Sequence, residues 1–228
     1  MADLVELQQV LGINFNDSSL LEQALIHSSY TNENPAAAFT DNERLEFLGD
    51  AILGAVIAER LYQLIPEADE GVMSVLRSAL VRSTALSRVA KSINLSGYLY
   101  LGRGEESGGG RQKTTNLAAA LEAVIAAVFL DSGWSAARDF ILQLFDAELK
   151  KAISRGIETN YKTQLQQVIL SRQQEVPIYR ITETSGPPHN RKFTAEVLVN
   201  DEVLGRGNGR SKKNAETEAA RSALEKLG

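Results

Sequence analysis

The chain has no cysteine among its 228 residues. That excludes a disulfide framework, thiolate chemistry and any zinc–thiolate site, and it fits a reducing compartment, so a cytoplasmic setting is expected. Histidine is nearly as scarce, at two, which leaves His189 without partners for a zinc site. No apolar run approaches the length of a membrane span, and the start MADLVELQQVLG carries acids where a secretory signal has a basic region. Neither membrane insertion nor secretion is expected. Positive charge is also in deficit: the net charge is −5, which speaks against a nucleic-acid binder when the chain is taken whole.

The deficit is unevenly spread. Residues 1–157 hold 13 Lys and Arg against 20 Asp and Glu, net −7, while residues 158–228 hold 11 against 9, net +2. An acidic body therefore carries a mildly basic tail, and the texture of the sequence changes at the same place, after SRGIET. With 43% hydrophobic residues there is enough apolar surface for a real core.

Residues 3 to 149 carry apolar positions at spacings of three and four, so the first domain is expected to be all-α. LEQALIHSSY, RLEFLGDAILGAVIAERLYQLI, GVMSVLRSALVRSTALSRVAKSI, NLAAALEAVIAAVFLDS and SAARDFILQLFDAELKKAI are its clearest helices. The glycine-rich GRGEESGGGR lacks the lysine–serine ending of a nucleotide-binding loop and reads as a flexible connector. Beyond residue 157 the order is α-β-β-β-α, a small α+β domain. YKTQLQQVILSRQ is a helix, PIYRITETSG, RKFTAEVLVN and EVLGRGNG are strands, and SKKNAETEAARSALEKLG is a helix starting at a serine cap. Phe193, Ala195, Val197 and Val199 share one strand face, and Ala215, Ala219, Ala223 and Leu227 form a helical stripe to cover it.

The chemistry-bearing segment is NERLEFLGD, residues 42 to 50, which sets Glu43, Glu46 and Asp50 on one helical face. The helix continues into AILGAVIA, whose apolarity implies burial, and buried carboxylates are costly unless they are paired or protonated. A hard divalent cation such as magnesium would relieve the repulsion and activate water or a phosphodiester. The same spacing also suits a solvated acidic stripe at a helix start, with Arg44 and Arg60 as available partners.

NERLEFLGDAIL is similar to the nine-residue signature of the bacterial ribonuclease III family, and ALIHSSY resembles another of its boxes with Ser28 in place of a usual arginine. DEGVMSVLRSALV (69–81) and LEAVIAAVFLDSG (121–133) follow in the family's order and spacing, and the tail resembles its double-stranded RNA-binding domain. The resemblance covers nearly the whole chain. It implies a helical endonuclease domain that forms a homodimer and cleaves both strands of duplex RNA in ribosomal and messenger precursors. Magnesium, or manganese in its place, would be the cofactor, and a 5′-phosphate the product. By position it implies that Glu46, Asp50 and Glu122 are metal ligands, with Asp50 and Glu122 catalytic, Glu43 in support, and Glu70 joining the acidic cluster.

The family pattern fails at one place, where an aspartate is expected one turn before Glu122 and Ala119 stands instead. Asn116 is a poor substitute, since six residues separate it from Glu122 by about 9 Å of rise and roughly 120° of rotation. It is expected to be the N-cap before Leu117. Three readings are open: an active enzyme with water or another acid filling the gap, an alanine introduced deliberately to hold RNA uncut, or a natural duplex-RNA-binding protein that does not cleave. The retention of Glu43, Glu46, Asp50, Glu70 and Glu122 favours the enzyme.

In the tail, Lys212 and Lys213 open a helix whose free N–H groups also favour phosphate. GPPHNRK, with His189, is a strand-connecting loop suited to a minor groove, and Thr163, Gln166 and Gln167 are placed to bond 2′-hydroxyls. Each feature alone has a plain reading as solvated surface. Together in one small domain they point to duplex RNA.

Overall fold

In the computed structural model, residues 3–37, 39–66, 68–173, 175–187 and 191–227 are described. The chain divides into two compact units, Met1–Ala152 and Ile153–Gly228.

Helices α1 (Leu4–Leu11), α2 (Ser18–Ala24), α3 (Ser28–Glu33), α4 (Glu43–Leu64), α5 (Glu70–Val81), α6 (Ser83–Ser92) and α7 (Arg103–Ser107) are followed by α8 (Thr114–Gln173). Carboxylate caps start several of them. Asp3 accepts from the N–H groups of Val5 and Glu6, Asp17 from Ser19, and Asp69 from Val72 at 2.8 Å. Within α8, Gly133 (φ 81°, ψ −176°) turns the chain in a conformation that only glycine adopts easily. The division between the units falls further along the same helix.

The apolar run NLAAALEAVIAAVFLD occupies the centre of the first unit. Leu117, Leu121, Val124, Ile125 and Val128 are fully buried, as are Leu53, Val56 and Ile57 of α4. A helix apolar on every side has to lie in the interior, and this one does. Contrary to the expectation from sequence, the stretch Thr114–Ser154 is long and apolar enough to meet the criteria for a membrane span. Over half of its most apolar window is packed inside the unit, as befits a core helix.

Three other expectations need correction. LEQALIHSSY is not one helix, because Ile26 leaves the helical path to form a parallel bridge with Tyr100. There Tyr100 N–H donates to the Leu25 carbonyl at 2.9 Å, and His27 N–H donates to the Tyr100 carbonyl at 3.1 Å. The run from 71 to 93 breaks at extended Arg82 (φ −68°, ψ 149°). On one straight helix the buried Leu76 and Leu80 would point roughly 130° away from Ala85, Leu86, Val89 and Ala90, so a bend lets both stripes reach the core. Finally, the glycine-rich segment is a fixed connector. Arg111 donates to the carbonyls of Ser96 (2.7 Å) and Leu99 (3.0 Å) and pairs with Glu106, holding a 3₁₀ turn at Gly110–Gln112.

In the second unit the end of α8 packs with β1 (Ile178–Ser185), β2 (Lys192–Val199), β3 (Glu202–Gly209) and α9 (Lys212–Leu227). The sheet is antiparallel in the order β1-β2-β3, with Arg180 opposite Glu196 and Glu196 opposite Arg206. Its inner face matches the sequence pattern. Ala195, Val197 and Val199 are buried against Leu165 and Ile169 of α8 and against Ala215, Ala219 and Ala223 of α9. Ser211 caps α9 by accepting from Asn214 N–H at 3.1 Å.

The alternation in LGRGNG has a packing cause. A Cβ on Gly205, Gly207 or Gly209 would lie 2.3, 2.2 or 2.5 Å from backbone atoms of Ala219 or Ala215, so α9 rests directly on the backbone of β3. Gly207→Ala is therefore expected to cost about 1–3 kcal/mol through overpacking, read as a lowered thermal midpoint for the second unit.

Candidate active site

The acidic helix α4 is anchored at its start. Asn42, 3% exposed, donates its side-chain amide to the Ala24 carbonyl at 3.1 Å and its backbone N–H to the Ile26 carbonyl at 2.9 Å. Its own carbonyl accepts the Glu46 N–H at 2.8 Å, so the bridged corner between α2 and α3 sets where α4 begins. From there Glu43 and Asp50 are exposed and Glu46 is half-buried.

Helices α4 and α8 touch backbone to backbone at Gly49. A Cβ at this position would lie 1.8 Å from the Glu122 carbonyl oxygen, so no other residue permits the approach. The contact brings Glu46 and Asp50, on either side of Gly49, into electrostatic reach of Glu122. Burial pushes the Glu122 carboxyl up to about 8, with the negative charges of Asp50 and then Glu46 adding to it. Burial also raises Glu46, reinforced by Glu43 and Asp50 and opposed by His27. His27 also lies within reach of Glu105, and it is a neighbour that residue-by-residue reading did not single out. The only hint of it in the sequence was its place in ALIHSSY.

A second buried glutamate provides an internal comparison. Glu196 is 5% exposed and Glu122 9%. Glu196 lies between Arg180 at 3.0 Å and Arg206 at 2.7 Å, and the hydrogen bond from Arg180 leads in holding its carboxyl below the usual range. Among the described residues Glu122 has no such partner, and neither Arg44 nor Arg60 pairs with Glu43, Glu46 or Asp50. The donor set is all carboxylate oxygen with no arginine or lysine paired to it among the described residues, which suits a hard divalent cation. Among the described residues no three His, Asp or Glu side chains form a ready-made metal cage.

The remaining acids and candidates are placed as follows. Ala119 is half-buried one turn before Glu122. Asn116 is not an N-cap; it lies inside α8, and its amide donates to Glu105 Oε1 at 2.8 Å and to the Gly110 carbonyl at 3.0 Å. Within the chain Glu70 does not join the cluster. It opens α5, accepts from Ser74 Oγ at 2.7 Å, and lines a cleft with Ala58, Leu61 and Tyr62. Ala58 is already about 12 Å along α4 from Asp50. In the second unit Thr163, Gln166 and Gln167 are exposed on the side of α8 away from buried Leu165 and Ile169. Lys212 and Lys213 are exposed at the start of α9, and neither forms an ion pair among the described residues. His189 lies outside the described residues.

Comparison with known proteins agrees with this layout. Residues 17–149 match the Ribonuclease-III-like family model, and residues 161–227 match the double-stranded RNA binding motif. The chain is 51% identical to Ribonuclease 3 of Dehalococcoides mccartyi (strain CBDB1), covering 100% of this chain and 96% of that one. Ribonuclease 3 of Carboxydothermus hydrogenoformans is 44% identical, with 99% and 96% covered. Among solved structures, the nuclease domain of the Campylobacter jejuni enzyme superposes with a TM-score of 0.60 at 37% identity, covering 65% of this chain and 97% of that one. A second structure of that domain concerns flexibility in a region involved in its dimer formation.

The raised Glu122 carboxyl has a pH signature. The folded chain keeps a proton that the unfolded chain releases near 4.5, so the stabilisation is complete below that pH and disappears as the pH climbs to about 8. In chelator-treated protein the thermal midpoint should fall across this range. It should fall less steeply in Glu122→Gln, whose side chain stays neutral, and equal slopes would contradict the assignment.

Proposed function

Because the chain belongs to the ribonuclease III family, we propose that this double-stranded-RNA endoribonuclease is magnesium-dependent and homodimeric. We propose further that it yields 5′-phosphate ends and matures ribosomal and messenger precursors in the cytoplasm. The observation that carries the metal-dependent part is Glu122, buried against two further carboxylates across the Gly49 contact with no cation from the described residues. Glu46, Asp50 and Glu122 would hold magnesium, or manganese in its place, through oxygen alone. Such a cation supplies the Lewis acidity and charge neutralisation that phosphodiester hydrolysis requires.

The chain's own groups do the rest. The α4–α8 crossing fixes the spacing of the carboxylates before substrate arrives, a form of electrostatic preorganisation. Glu43 stands exposed at the same face, where it supports the RNA or a second metal. Lys212 and Lys213 offer charge to phosphates, and Thr163, Gln166 and Gln167 offer hydrogen bonds to 2′-hydroxyls, the group that separates RNA from DNA. Dimerisation is supported by apolar surface left open on the single chain. Phe47 is 81% exposed on α4, Tyr62 72% on α4 and Val75 70% on α5. Phe47→Ser should shift the chain toward monomer in sedimentation velocity without unfolding it.

Ala119 weakens the site without removing it, because magnesium is held largely by its own waters and a few carboxylates. The non-cleaving alternative gains no support from the relatives, which carry the name Ribonuclease 3. The deciding experiment is cleavage of a long RNA duplex across a metal titration. The native chain should cut, and Ala119→Asp should lower the magnesium midpoint by about tenfold, equivalent to ~1.4 kcal/mol. Failure of both proteins to cut with either metal would sink the reading, and coincident curves would show that residue 119 does not border the ligand position.

A further inference from the structure

Three lysines compete for one carboxylate in the second unit. Glu216 follows Lys212 by four residues and Lys213 by three, on the same helix. Side chains at those spacings meet on a helix surface, so Glu216 is the natural local partner for either lysine. Its actual partner is Lys162 of α8, whose Nζ donates to Glu216 Oε2 at 2.6 Å.

The surroundings explain the choice. Lys162 Nζ also stands 4.2 Å from the centre of the Tyr179 ring on β1, a cation–π contact that neither Lys212 nor Lys213 makes among the described residues. The Lys162 and Glu216 side chains are only 30% and 25% exposed, whereas Lys212 and Lys213 lie in solvent. The Tyr179 hydroxyl is buried without a hydrogen-bond partner among the described residues. Burial, helped by the nearby Glu216 charge, pushes it up to about 12.

We propose that Lys162 sequesters Glu216 and thereby keeps the charge of Lys212 and Lys213 free for the RNA backbone. Lys162 is thus a positioning residue that need not touch RNA itself. Without it, Glu216 swings one turn up α9 and neutralises a lysine that would otherwise displace a counterion from a phosphate. The inference rests on the RNA-facing assignment of Lys212 and Lys213.

The test measures binding of the full chain to a fixed RNA duplex over a salt series, in chelator so that nothing is cut. Lys162→Met keeps the apolar stem and loses the charge. It should weaken binding about fivefold and make the plot of log affinity against log salt shallower by about one. Lys162→Arg should bind like the native chain. The decisive variant is Lys162→Met with Glu216→Gln, which should recover both affinity and slope, because no carboxylate then remains to neutralise the lysines. A contact that merely holds the domain together predicts the reverse, with the double variant as weak as the single or weaker.

The inference is overturned if Lys162→Met binds normally, if the double variant shows no recovery, or if the loss matches the unfolded fraction seen by circular dichroism. Lys212→Ala with Lys213→Ala serves as the reference. An unchanged slope there removes the RNA-facing assignment and this inference with it, whereas a shallower slope there without recovery in the double variant overturns this inference alone.

Discussion

The backbone contact between Gly49 and Glu122 is the constraint from which the first unit's chemistry follows. Two helices that meet with a Cβ-sized space missing cannot slide or separate without losing the contact, so the face of α4 bearing Glu46 and Asp50 is held against the helix bearing Glu122. The apolar composition of the first part of α8 makes this possible, because a helix buried over most of its surface can serve as the axis around which α4 packs. The cost is electrostatic. Drawing Glu122 and Glu46 into a partly dry crossing beside other carboxylates raises the affinity of these two for protons, and for any cation that can take the protons' place.

The second unit meets a similar problem with its own side chains. Glu196 is enclosed by two arginines from the neighbouring strands, and Glu216 by a lysine from the preceding helix. These pairings engage two acids and three basic residues, and among the described residues they leave Lys212 and Lys213 without an ion pair at the start of α9. A net charge of only +2 over residues 158–228 can therefore present a locally positive surface. The two units thus use opposite strategies. At the α4–α8 crossing the first leaves its acids without an ion-pair partner among the described residues, and the second pairs its buried acids with arginine or lysine.

Much of this was legible in the residues. Helical spacing identified the elements, the alternation in RKFTAEVLVN identified the buried face of β2, and the opposed stripe Ala215, Ala219 and Ala223 identified its cover. The common face of Glu43, Glu46 and Asp50 followed from helix geometry alone. What was misread had a tertiary cause each time. The break at Ile26 comes from a bridge to Tyr100, 74 residues away, and the break at Arg82 occurs with neither glycine nor proline to announce it. Asn116 carries a good capping side chain, yet it spends it on Glu105 and the Gly110 carbonyl in the connector before α8.

By itself, the sequence determined the residue chemistry available and its local periodicity: an acidic helical body and a mildly basic α-β-β-β-α tail, with five acids whose order resembles that of the ribonuclease III family and Ala119 where the family pattern has an aspartate. Those properties depend on neighbours within a turn or a strand, which the order of residues specifies directly. The tertiary structure alone decided that Glu122 binds its proton up to about pH 8, that Glu70 stands apart from the cluster within one chain, and that Glu216 answers to Lys162. Each of these depends on which segments approach across the fold and how much water they exclude, and charge interactions follow that distance and dielectric, not separation along the chain.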